Sequence, residues 1–192
     1  MQKKHFMKTN TLAYCALLTA LSVVLARLFG LMPEESSRFS IEAVPIFIAG
    51  MLFGPIAGGM VGFSADFIGC LFSPFGYNPI FCLPPILYGV FAGILRHFMA
   101  QKFNPFRLFV SFLLPAVFGS ILWQSFALAY VYYYETFWQG LLVKLTSRSV
   151  QFAIVTIVDC LLIYLLFQAN IFAKLGLWPP MKKRKDTKEN DC

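Results

Sequence analysis

Long apolar runs broken by short polar clusters dominate the pattern of this chain. Residues 9–30 form one run long enough for a helix across a bilayer, which needs about 20 residues. Residues 31–40 carry Pro33, Glu34, Glu35 and Arg38 and read as a polar loop. From Phe39 to Phe72 the chain is almost wholly apolar, with glycines at 50, 54, 58 and 62. A small residue at every fourth helical position leaves a flat stripe that admits a second backbone. Gly54-Pro55 divides the run, because proline cannot continue a helix while glycine accommodates the turn. The pattern predicts two tight crossings of roughly 25 Å each. Ser73-Pro-Phe-Gly-Tyr-Asn-Pro79 follows as a helix-breaking loop.

Three further spans are predicted at residues 80–99, 106–134 and 147–172. Residues 135–146 are expected to be a connection, partly helical or re-entrant, and residues 173–192 a basic tail that is disordered from Trp178 onward. Six crossings place both ends on one side. Lys3, Lys4, Lys8, Arg96, Lys102, Arg107, Lys174 and the five basic residues of the tail share that side. Arg27, Arg38, Lys144 and Arg148 fall on the other. The positive-inside rule then makes the termini cytoplasmic. The expectation is an all-α integral membrane protein with six transmembrane helices, with residues 1–172 as a single domain.

Composition supports that reading: 58% of residues are hydrophobic and 13% charged, far from a soluble domain. The net charge of +7 lies at the edges of apolar runs and in the tail, a placement that suits membrane topology rather than nucleic-acid binding. The five cysteines, at 15, 70, 82, 160 and 192, contain no CxxC and read as small buried hydrophobes. The first apolar run is too long for a cleavable signal peptide and lacks a small-residue cleavage site. No GxxxxGK[ST], HExxH or GxSxG occurs, and both histidines, His5 and His97, lie near the cytoplasmic edge. An enzyme is disfavoured, and neither metal nor cofactor is expected.

The candidate binding residues are the polar ones inside apolar helices. Asp66 lies within the third span, where a carboxylate costs roughly 2.5–3.5 kcal/mol on insertion scales. Arg27 ends the first span and Arg148 opens the last. Either can simply snorkel to the interface, or the two together can bind an anion. Arg148, Gln151, Val155 and Asp159 share one helix face. That polar stripe is better suited to the bundle interior than to lipid, with Asp159 in a structural role. Phe75, Tyr77 and Asn78 read either as ordinary interfacial anchors or as a pocket wall. Trp123 offers a stacking face, although packing is the commoner role for a membrane tryptophan. Ala16 and Ala20 form an AxxxA step of a kind frequent by chance.

The run PIFIAGMLFGPIAGGMVGFSADFIG followed by FGYNP resembles the substrate-binding S components of energy-coupling factor (ECF) vitamin transporters. It is most similar to the folate-specific type, and the resemblance extends from the AxxxA step to Arg148 and its flanks. It implies that Ala16 and Ala20 contact a membrane coupling subunit. It also implies that Arg27, Phe75, Tyr77, Asn78 and Arg148 hold the vitamin, to which we add Asp66, Trp123 and Gln151 as inferred pocket residues. The implied partners are a coupling subunit and two ATPases in the cell membrane, and the implied ligand is folate. Alternatives are an S component for riboflavin, hydroxymethylpyrimidine, pantothenate or thiamine, the last disfavoured by two anion-binding arginines. A membrane scaffold, or an intramembrane enzyme using Asp66 or Asp159, belongs to a different class.

Overall fold

A computed structural model describes residues 9–28, 31–34, 37–39, 41–72, 78–101, 104–132, 137–169 and 171–177. Its elements in chain order are helix α1 (Thr9–Leu28), strands β1 (Leu31–Glu34) and β2 (Ser37–Phe39), then α2 (Ala43–Phe53) and α3 (Pro55–Leu71). A 3-10 turn (Pro79–Cys82) leads into α4 (Leu83–Ile94), which is followed by α5 (Arg96–Gln101). Next, α6 (Pro105–Pro115), a π-helical segment (Ala116–Trp123) and α7 (Gln124–Tyr132) run without interruption. They are followed by α8 (Phe137–Gln168) and the short α9 (Ile171–Lys174). Among the described residues, three helical stretches are long and apolar enough to cross a membrane, Thr9–Arg27, Pro105–Val131 and Phe137–Gln168. Three shorter apolar pieces, Ala43–Phe53, Pro55–Leu71 and Pro79–Ile94, pack among them.

The centre is the α2–α3–α4 sandwich. Helix α2 stops at Gly54, whose φ of 97° is open to glycine and strained for other residues, and Pro55 starts α3 with the φ that a first helical turn requires. The glycine stripe predicted on α2 and α3 meets a second one on α4. A Cβ on Gly58, Gly62, Gly89 or Gly93 would fall closer than 3.0 Å to backbone atoms of the facing helix. Gly58 and Gly89 meet reciprocally, each lying against the other's carbonyl. Van der Waals contact between backbones takes the place of side-chain interdigitation here. Beside it, Phe47, Phe112 and Tyr88 stack in series with ring centroids 5.0 Å apart, tying α2 through α6 to α4.

The distribution of polarity is the reverse of that in a water-soluble domain. Leu17, Ile56, Phe106, Trp138 and Val150 are exposed, while Lys144, Arg148, Gln151, Asp159, Ser111 and Ser125 are buried. Lipid suits the first group, and the second avoids lipid by facing the bundle. Cys15, Cys82 and Cys160 are buried as expected and Cys70 is only half-buried; no disulfide joins the described cysteines.

Four boundaries differ from the sequence expectation. The polar loop at 31–40 contains an antiparallel hairpin, with Leu31 opposite Phe39 and Glu34 opposite Ser37. Because β2 takes up Phe39, α2 begins only at Ala43 and has 11 residues rather than 17. The fourth span is divided at Leu95, which separates α4 from α5. In the fifth, Pro115 interrupts the hydrogen-bond ladder and the helix widens into π geometry, so that Gly119 packs on Pro84. Most consequentially, there is no separate connection at 137–146. Helix α8 starts at Phe137 and runs for 32 residues, roughly 48 Å.

Candidate ligand-binding site

Helices α1 and α3 end, and α2 and α4 begin, at one end of the bundle. A small concavity of about 30 Å³ opens there, partly exposed to solvent. Its polar groups are Ser22 and Arg27 from α1, Glu42 at the N-cap of α2, and Asp66 from α3. Ala26, Ile46, Ala65 and Pro85 supply apolar walls, and Cys70 completes the α3 side. Such a mixture, mostly apolar with a few convergent polar groups, is what small-molecule sites offer.

Two hydrogen bonds between distant segments frame the concavity. Arg27 donates through Nη2 to the carbonyl of Gly69 on the last turn of α3, which also accepts from the Phe72 amide, at the helix end whose dipole attracts a cation. Its Nε is buried and has no hydrogen-bond partner. The Ser22 hydroxyl donates to the Glu42 carbonyl over 2.8 Å, which ties the start of α2 to α1. Arg27 is thereby tied to α3, the helix that carries Asp66, and Glu42 lies on another element.

The second polar group of this region lies on α8, which packs against α2 and β2. Lys144 is 8% exposed, Arg148 4% and Gln151 5%, and the three share the inner face of the helix. The Arg148 guanidinium carbon lies 5.8 Å from the centre of the Phe152 ring. Because α8 begins ten residues earlier than expected, Arg148 is three turns into the helix, and at 4% exposure it does not snorkel. Helix α2 packs against both α1, which lines the concavity, and α8, which carries the basic face. Asp159, further along the same stripe, is fully buried, and neither of its oxygens has a hydrogen-bond partner.

The predicted residues therefore divide into groups. Arg27 and Asp66 line the concavity, and Arg148 and Gln151 line the basic face. Asn78 accepts from the Ile80 amide at 3.2 Å and caps the 3-10 turn. Trp123 is 38% exposed and donates through Nε1 to the Ile80 carbonyl at 2.8 Å, tethering the segment after α3 to the π-helical region. Phe75 and Tyr77 lie outside the described residues. Ala16 and Ala20 are exposed on the outer face of α1.

Sequence reasoning missed Glu42, Ser22 and Lys144. Glu42 carries the same signal that singled out Asp66, an acid inside an apolar run. Lys144 sits one helical turn before Arg148, and only the expected connection at 135–146 concealed that it belongs to the stripe. Ser22 has no signal in the sequence.

A family described as "ECF-type riboflavin transporter, S component" matches residues 6–168. The folate transporter FolT of Clostridium novyi (strain NT) is 33% identical over 89 residues, covering 44% of this chain and 51% of that protein. An uncharacterized MG098 homolog of Mycoplasma pneumoniae is 41% identical over 59 residues, 31% of this chain and 12% of that one. The chain thus spans about half the length of the first relative and much less of the second. A crystal structure of FolT bound with folic acid superposes with a TM-score of 0.69 at 27% identity, covering 83% of this chain and 93% of that chain.

Proposed function

Because the chain belongs to the family of ECF-type riboflavin transporter S components, we propose that it captures folate with high affinity at the outer face of the cell membrane and delivers it inward. The observation that carries the folate assignment is the likeness, over 83% of the chain, to a FolT structure solved with folic acid. The site supports it. Folate is an anionic vitamin, and Lys144 and Arg148 are two buried cations on the inner face of α8. An apolar pocket with such charge-assisted donors suits an aromatic acid. Nanomolar capture corresponds to about −12 kcal/mol. Spread over the roughly 32 non-hydrogen atoms of folate, this is about −0.4 kcal/mol per atom, within reach of a buried ligand.

The chain crosses the membrane six times with cytoplasmic termini, residues 1–172 forming one substrate-binding domain and 173–192 a basic tail. Arg27, Asp66, Arg148 and Gln151 contact the vitamin, and the loop carrying Phe75, Tyr77 and Asn78 closes over it. A coupling subunit docks on the exposed face of α1 at Ala16 and Ala20, and two ATPases drive reorientation. No bond of the vitamin changes, so the chain itself performs no catalysis and needs no cofactor.

Riboflavin is the second reading, favoured by the family's description. Its uncharged ribityl chain leaves Lys144 and Arg148 without a counter-anion from the ligand. Equilibrium binding of a vitamin panel to the purified protein in detergent separates the two. Saturable nanomolar binding of folate is expected. Nanomolar binding of riboflavin with none of folate would keep the transport role and replace the substrate.

A further inference from the structure

We propose that Arg96 and Arg107 form a seat for the headgroup of an anionic phospholipid, at the end of the bundle opposite the concavity. Under the proposed topology this end faces the cytoplasmic leaflet.

The seat is built on α5. Helix α4 begins at the concavity and ends at Leu95, and α5 follows with Met99 fully buried in the apolar core. The short helix packs against α2, α4 and α6 and is thereby pinned to the end of the bundle. Arg96 opens it and is half-buried. Its guanidinium lies over the α2–α3 turn, where Nη1 would stand 3.8 Å from a Cβ added to Gly54. Arg107 reaches α5 from the first turn of α6. Its guanidinium carbon lies 4.7 Å from the centre of the Phe98 ring, and Nη1 donates to the Phe98 carbonyl over 3.1 Å. One of five N–H donors is used there, and the two contacts hold the group in place. Arg96 and Phe98 are separated by about 3 Å of helix rise, so both cations belong to one small surface.

Nothing acidic among the described residues offsets the pair. Their acids are Glu34, Glu42, Asp66 and Asp159. The first three belong to the opposite end, and Asp159 is fully buried in α8. Apolar side chains complete the match to an amphiphile. Ile94 lies just before Arg96, Phe106 just before Arg107, and Phe98 carries the second guanidinium; all three are exposed. A phosphate held by the two arginines places acyl chains beside apolar surface, which a free anion would leave bare. Arginine suits the task, because its planar fork meets two phosphate oxygens at once. Basic pockets between helices on the cytoplasmic side hold phospholipid headgroups for the same reasons.

Native mass spectrometry of the full chain in detergent, titrated with phosphatidylglycerol or with phosphatidylcholine of the same chain length, tests the seat. The wild type is expected to bind phosphatidylglycerol about tenfold or more tightly than phosphatidylcholine. Arg96→Gln combined with Arg107→Gln should reduce that preference to less than about threefold. Lys174→Gln removes an exposed cation of the same end without touching α5, and should leave the preference within about twofold of wild type. Equal loss from Lys174→Gln and from the arginine pair would mean diffuse attraction and overturns the seat. A wild type without preference overturns it too, as does displacement of the lipid by glycerol phosphate at equal concentration. Undiminished lipid binding by the arginine variant, with loss of co-purification with a coupling subunit, assigns the surface to a protein instead. If the double variant does not fold, Arg96→Gln and Arg107→Gln decide singly, each expected to cut the preference about threefold.

Discussion

The α2–α3–α4 sandwich and the α6–α8 hairpin solve the same packing problem in opposite ways. In the sandwich, helices meet backbone to backbone along glycines, and almost no side chain intervenes. In the hairpin, two long rods pack through side chains, and Lys144, Arg148, Gln151 and Asp159 turn inward from α8. A surface of glycines is rigid and close-fitting but carries no functional groups. A long helix with a polar inner stripe offers functional groups and depends on a scaffold to bury them. The candidate site lies where the two meet, at the N-terminal end of α2.

The comparison breaks most sharply at the scaffold. Gly89→Val places a branched side chain where Gly58 presents its carbonyl. It should destabilise the protein by more than about 3 kcal/mol, seen as loss of monodisperse material and a collapsed thermal midpoint. On the hairpin side, Arg148→Met removes the proposed contact to the vitamin and the one with Phe152, and should weaken folate roughly a hundredfold by calorimetry at a smaller cost in stability than Gly89→Val. A folding defect as large as that of Gly89→Val would erase the distinction between the two regions.

Smaller effects sharpen it. Arg27→Ala removes both a lining cation and the donor to Gly69, so folate affinity should fall about tenfold together with a lower thermal midpoint. Trp123→Phe deletes the tether to Ile80 without touching the concavity. Its expected cost is about 1 kcal/mol in thermal unfolding, with folate affinity changed by less than about threefold. Least of all, Ala16→Leu combined with Ala20→Leu lies on an exposed face and should shift stability by less than about 0.5 kcal/mol. The same pair should abolish co-purification with a coupling subunit, and undiminished capture would remove the assigned role of that face.

Much of the scaffold was readable in advance. The apolar runs, the turn at Gly54-Pro55, the glycine steps on α2, α3 and α4 and the AxxxA face of α1 all follow from local rules. Helical periodicity, the missing Cβ of glycine and the missing N–H of proline act within a few residues of chain. The site was only half readable. Arg27, Asp66, Arg148 and Gln151 stood out because a polar group inside an apolar helix needs a reason. Glu42 carries the same signal, an acid inside an apolar run, whereas Lys144 was hidden by the early start of α8.

What local pattern could not supply was which segments meet. Ser22 with Glu42, Arg27 with Gly69 and Trp123 with Ile80 join residues 20, 42 and 43 positions apart. Neither partner in these pairs constrains the other along the chain. Trp123 illustrates the consequence. Sequence makes it an aromatic at the right depth for a stacking face, but packing turns its N–H onto the Ile80 carbonyl and makes it a tether. Local stereochemistry sets the helices and their close-packing faces, whereas the contents of the pocket depend on contacts that exist only once those faces have closed.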